Sequence, residues 1–247
     1  MKTIAQRFSN GVRVIPNGFR LVKDKKGLAK FIVIPLLINI ILLVTGLVWV
    51  TSEVSGIVES IMGGLEGWNE TLYSILSWVI SIGVWIAVTG GVILTLYLTS
   101  SVIASPFYSL LAERSLMSVG GLQEKPFAVG PWITTSIKML LVSLGKAVVL
   151  LFITIAVFIA SFIPVVNLVA LFVTFILIAF DCSDYVLEAK EKGLASRFRF
   201  LKANLPEFSG VALFLGALSF IPGVIFLAIP FTIAGMADLV HQIGDES

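Results

Sequence analysis

Charge is scarce in this chain: of 247 residues only 13% are Asp, Glu, Lys or Arg, while 57% are hydrophobic. Soluble domains carry about 25% charged residues, so this composition cannot coat a water-soluble globule, and an integral membrane protein is expected. There is one cysteine, Cys182, and one histidine, His241. The lone cysteine excludes an intrachain disulfide and a Cys-based zinc cluster, and the lone histidine excludes a His-pair metal site. No phosphate-loop or dinucleotide glycine pattern and no serine nucleophile elbow is present. Neither an enzyme nor a cofactor is expected. The basic residues flank apolar segments, which membrane topology alone explains, so nucleic acid is not an expected partner.

What is there is a membrane map. The first thirty residues hold eight of the seventeen Lys and Arg and no apolar signal-peptide core, so residues 1–30 form a retained basic arm. An uncharged run from Phe31 to Thr51 is long enough, at about 1.5 Å per residue, to cross a ~30 Å hydrocarbon core. Residues 52–70 carry Glu53, Glu59, Glu66 and Glu70 without a base and read as an outer loop. A second run, Leu72 to Ile103, exceeds one bilayer crossing and should tilt or project, with Ser105-Pro106 as its expected kink or end. Gly83, Ala87 and Gly91 recur at four-residue spacing, a stripe that suits close helix packing. Together 31–112 make two long spans. Residues 113–146 form a cytoplasmic and interfacial region containing an amphipathic helix that begins at Trp132.

Beyond Lys146 the apolar segments shorten and pair about prolines. Residues 147–163 and 165–180 flank Pro164 and would each reach about 25 Å; residues 209–221 and 223–237 flank Pro222 and reach about 20 Å. Ser161-Phe162-Ile163-Pro164 recurs as Ser219-Phe220-Ile221-Pro222, each followed about nineteen residues later by an acid, Asp181 or Asp238. The expected units are hairpin 1 (147–181), a cytoplasmic segment (182–208), hairpin 2 (209–238) and a tail (239–247). All Lys and Arg lie in the arm, the 113–146 region or the 190–202 segment, which places both termini in the cytoplasm. The expected fold is an all-α integral membrane protein of one domain, 1–247, with two long transmembrane helices and two Pro-tipped helical hairpins, re-entrant or short-spanning.

The strongest ligand signal precedes the first span. Lys25, Lys26 and Lys30 surround Gly27-Leu28 where a helix should begin, so unpaired amides, the positive helix end and three ammonium groups converge on an oxyanion-sized spot. The same residues read equally as positive-inside anchors touching anionic lipid. Within the membrane, Asn39 and Asn167 can line a passage or bridge helices. Asp181 and Asp238 read as interface markers or partners of nearby bases. Asp184, Glu188 and Glu191, interleaved with Lys190 and Lys192, read as a solvated helix face. Asn69-Glu70-Thr71 is a glycosylation sequon in the outer loop.

Two blocks carry a family resemblance. Gly18-Phe19-Arg20-Leu21-Val22, Gly27-Leu28-Ala29-Lys30-Phe31 and Pro35-Leu36-Leu37-Ile38-Asn39 resemble the opening of the CysZ-type sulfate permeases. Ala104-Ser105-Pro106-Phe107-Tyr108-Ser109-Leu110-Leu111-Ala112-Glu113 is similar to the signature after that family's second span. Asp184-Tyr185, the two Ile-Pro tips and the Gly235 region extend the likeness over most of the chain. The resemblance implies two long spans, hemi-penetrating hairpins, cytoplasmic termini in the inner membrane and a homo-oligomer. It implies sulfate uptake for cysteine biosynthesis, with oxyanion contact at Gly27 and Leu28 and positive charge beside them. Where the family often has Arg-Arg, this chain has Ala29-Lys30, which keeps a charge but not the planar guanidinium fork. The expected function is therefore a sulfate or related oxyanion channel or facilitator without covalent chemistry. The rival is a non-transporting scaffold whose basic arm binds membrane lipids.

Overall fold

The computed structural model describes residues 3–63, 69–123, 129–221 and 224–244, and among them there is no strand. The helices are α1 (Ile4–Asp24), α2 (Lys26–Met62), α3 (Glu70–Ser118), α4 (Val129–Ala160), α5 (Pro164–Ala189), α6 (Leu194–Ala203), α7 (Leu205–Ser219) and α8 (Val224–Gly244). The chain divides into two compact units, Met1–Ile32 with Tyr108–Ser247, and Val33–Phe107.

Helices α2 and α3 cover the two apolar runs of the Val33–Phe107 unit and are longer than those runs. Helix α2 runs 37 residues, so much of the expected outer loop is helix. Glu53 and Glu59 are good helix formers, and a lone Gly56 is too weak a breaker to stop it. Helix α3 runs 49 residues and passes through Pro106 to Ser118, so the proline does not end it. A helix in apolar surroundings has no alternative partners for its backbone, and one missing N–H is tolerated. Asn69 of the sequon serves the start of α3, its Oδ1 accepting from the Thr71 amide at 2.9 Å. Gly83 and Gly91 face open space within the chain.

The other unit holds the main core. Helix α1 begins with a capping box, Thr3 and Gln6 each accepting the other's amide, and buries Gly11, Val14, Ile15, Gly18 and Val22 along one face. That face lies on α7 and α8 at unusually close range. A Cβ on Gly11 would stand 1.9 Å from the Glu207 carbonyl oxygen, and one on Gly18 would stand 1.8 Å from that of Phe231. The fit is reciprocal, with Gly210 against Phe8 and Gly235 against Val14. Arg7 fastens one end of the crossing: its Nε and Nη2 donate to the two oxygens of Glu207 at 2.6 and 2.9 Å, and Nη2 also donates to the Ala203 carbonyl at 2.7 Å. The Glu207 bond raises the Arg7 pKa. In α8, Thr232 through Ala237 are all buried, so this stretch is enclosed on every side.

The chain turns at Ser161–Ile163 and at Ser219–Ile221, with Pro222 outside the described residues, and the two turns share a hydrogen-bond pattern. Ser161 Oγ donates to the Phe158 carbonyl at 2.6 Å and Ser219 Oγ to that of Gly216 at 2.7 Å. The Ile163 and Ile221 amides donate to Ala160 and Leu218, both at 3.1 Å. Phe162 and Phe220 at the tips are 74% and 87% exposed, apolar ends suited to lipid. The arms are less equal than expected. Before each turn lies a short apolar helix, Leu144–Ala160 or Leu205–Ser219, and after it a longer one, Val166–Ala189 or Val224–Gly244. Gly27–Met62 and Tyr73–Val92 bring the helices long and apolar enough to cross a membrane to four among the described residues. The expected interfacial helix from Trp132 is not separate: α4 continues from Val129 to Ala160. Lys146, which set that boundary, is neutralised by carboxylates and does not end the helix.

Candidate oxyanion site at a helix corner

The Lys25–Lys30 segment is a corner between two helices. Lys25 leaves helical geometry with φ −107° and ψ 76°, and its amide still donates to Leu21 at 3.0 Å, closing α1. Helix α2 starts at the next residue. Val22 before the corner and Leu28 and Ile32 after it are buried in the core, so packing holds both sides. The exposed positions between them, among the described side chains, are Lys23, Lys25, Gly27 and Lys30, together with the acid Asp24. A Cβ on Gly27 would meet nothing within 4 Å, so its backbone is open to a ligand. The Leu28 amide donates to the Lys25 carbonyl at 2.8 Å, which makes Leu28 the anchor of the turn. Lys30 Nζ lies 5.0 Å from the Phe31 ring centroid, within cation–π range. The Lys26 side chain lies outside the described ones. The corner thus offers the start of a long helix, an open glycine backbone and ammonium groups, a set suited to a tetrahedral anion.

Asn39 belongs to the Val33–Phe107 unit, and its buried Oδ1 has no hydrogen-bond partner among the described residues. Asn167 is exposed in the first turn of α5, just past the first tip, with its amide donating to Ile163 at 2.9 Å.

One expectation fails. Asp184 is not on a solvated face; it is 4% exposed and central to an ionic chain. Lys146 Nζ donates to Asp181 Oδ1 at 2.8 Å and to Asp184 Oδ2 at 2.7 Å. Arg197 Nη1 stands 2.8 Å from Asp184 Oδ1, a close ion contact whose angle falls short of a hydrogen bond, and 3.9 Å from Glu188. The turn after α5 makes this possible. Glu191 sits at φ 55°, the Lys192 amide donates to Leu187 at 2.9 Å, and the reversed chain returns Arg197, fully buried, to Asp184. Arg197 Nε is satisfied by the Lys192 carbonyl at 2.8 Å. Asp181 partners a base, as its position suggested, whereas Asp238 accepts from Gln242 at 3.0 Å. The basic neighbours Lys190 and Lys192 masked Asp184 in the sequence. The available signal was the isolation of Lys146 in an apolar helix, which required a carboxylate.

Known proteins resemble this chain along most of its length. The family described as Sulfate transporter CysZ/Etoposide-induced protein 2.4 matches residues 15–230. The chain is 30% identical over 232 residues to a protein of Pseudomonas fluorescens (strain Pf0-1) named sulfate transporter CysZ, covering 92% of this chain and 90% of that one. A protein of the same name from Salmonella typhimurium (strain LT2) is 32% identical over 105 residues, which is 42% of this chain and 40% of its own length.

Proposed function

The chain belongs to the sulfate transporter CysZ/etoposide-induced protein 2.4 family, and from that premise we propose that it moves sulfate across a membrane for assimilation into cysteine. The observation that carries the local reading is the corner at Lys25, where α2 begins beside an open Gly27 backbone and exposed Lys25 and Lys30. Sulfate binds there through the Gly27 amide and the ammonium groups of Lys25, Lys26 and Lys30, while Leu28 holds the turn. The positive end of α2 adds to that attraction. Lys30 stands where an arginine fork is common, so contact at that position is a mobile point charge.

The protein works as a channel or facilitator, with selectivity from groups that replace part of the anion's hydration shell. It lies in the inner membrane as a homo-oligomer with both termini cytoplasmic, and the exposed Phe tips of the two hairpins enter lipid without needing to cross it. Asn39, whose Oδ1 has no hydrogen-bond partner among the described residues, is the favoured polar contact along the route. The test is thermal unfolding of the purified protein in sodium sulfate against sodium chloride of equal ionic strength. Sulfate-specific stabilisation that shrinks in a Lys26→Ala plus Lys30→Ala variant supports the site. Equal shifts in both salts, with stabilisation by anionic lipid alone, would favour a lipid-binding scaffold.

A further inference from the structure

The ionic chain between α4, α5 and α6 is not equally firm along its length. Asp184 is locked, with one oxygen on Lys146, the other against Arg197, and a side chain only 5% exposed. Withdrawing it would strand two cations away from water. Asp181 is different: its side chain is 55% exposed, and at the cytoplasmic interface, where the proposed topology puts it, a swing away from Lys146 returns the carboxylate to solvent at small cost. Lys146 cannot follow, because its side chain is 11% exposed and held by Asp184. The ammonium would then present a donor toward the side that Asp181 had occupied. A carboxylate is itself an oxyanion, and an oxygen of sulfate or a related anion fits the same 2.8 Å contact.

We propose that Lys146 is a second oxyanion contact, whose place Asp181 holds when no anion is bound and from which an arriving anion displaces it. This rests on the reading that the chain handles oxyanions, and it adds a contact far in sequence from the helix corner. The surrounding groups set the sign of the test. Among the described residues Lys146 and Arg197 face the carboxylates of Asp181, Asp184 and Glu188. Removing the Asp181 charge takes one carboxylate from beside Lys146 and lifts the repulsion an incoming anion meets. Asparagine keeps the oxygen that accepts from Lys146, so Asp181→Asn is a mild change for the fold.

The experiment is equilibrium binding of radiolabelled sulfate to the full-length protein in detergent, at constant ionic strength, with uptake into liposomes measured in parallel. Asp181→Asn should bind sulfate at least about threefold more tightly than wild type, because an internal competitor is gone. Adding Lys146→Gln to that variant should abolish the gain. If wild type binds sulfate and a folded Asp181→Asn binds it no better, the Lys146 contact is overturned while sulfate transport stands. If wild type neither binds nor takes up sulfate, the functional reading fails and this inference with it. A gain that survives in the double variant places the effect elsewhere and also overturns it.

Discussion

Replacing Gly18 by alanine should loosen the attachment of α1, although the change adds one methyl group to a helix. The new Cβ would lie 1.8 Å from the Phe231 carbonyl oxygen and 2.7 Å from the Gly235 amide nitrogen. Ordinary contact begins near 3.4 Å, so α1 has to retreat from α8 by about 1.6 Å at this point. The obstruction is backbone on both sides, and no rotamer change relieves it. Overpacking of this kind costs about 3 kcal/mol, and the helix preference of alanine over glycine returns about 1 kcal/mol. The net loss of about 2 kcal/mol corresponds to a fall in melting temperature of about 5 °C for a chain of this size. Intrinsic fluorescence during a thermal ramp in detergent measures it. Gly56→Ala is the control, since a Cβ there meets nothing within 4 Å and should leave the melt unchanged or slightly higher. If the Gly18 and Gly56 variants melt together, the close crossing of α1 on α8 is wrong.

A further outcome follows from the same unit. Arg7→Ala removes a two-pronged bond and leaves Glu207, 5% exposed, without its cation, which should cost about 2 kcal/mol in denaturant or thermal unfolding; Arg7→Lys should recover only part, since the fork is lost.

The features legible in the sequence were those written in local periodicity. The apolar runs after Lys30 and Leu72 announced α2 and α3, and the repeated SFIP words announced two turns with matching hydrogen bonds. The start of α2 is legible as a glycine and lysines ahead of an apolar run, whereas helix α1 and the bend at Lys25 are not. Nor are helix lengths, because in an apolar run a charge reads as the end of a helix. Glu53 and Glu59 prolong α2 instead, and Lys146 sits inside α4 with its charge met by Asp181 and Asp184. The two features that fasten this unit were hidden by distance along the chain. Arg7 and Glu207 are 200 residues apart, and Lys146 and Asp184 are 38 apart. Gly11, Gly18, Gly210 and Gly235 look like ordinary small residues until helices are laid together. The Leu28 amide, read as a free donor, is engaged by Lys25, which no residue pattern reveals.

Radiolabelled sulfate uptake into liposomes holding the purified, correctly inserted protein tests the central claim most directly. Empty liposomes and the Lys26→Ala plus Lys30→Ala variant, at matched reconstitution, are the comparisons. The account predicts saturable uptake, competed by sulfite or thiosulfate and clearly reduced in the variant. Uptake no greater than in empty liposomes would contradict transport, and uptake undiminished in the variant would contradict the site at the helix corner.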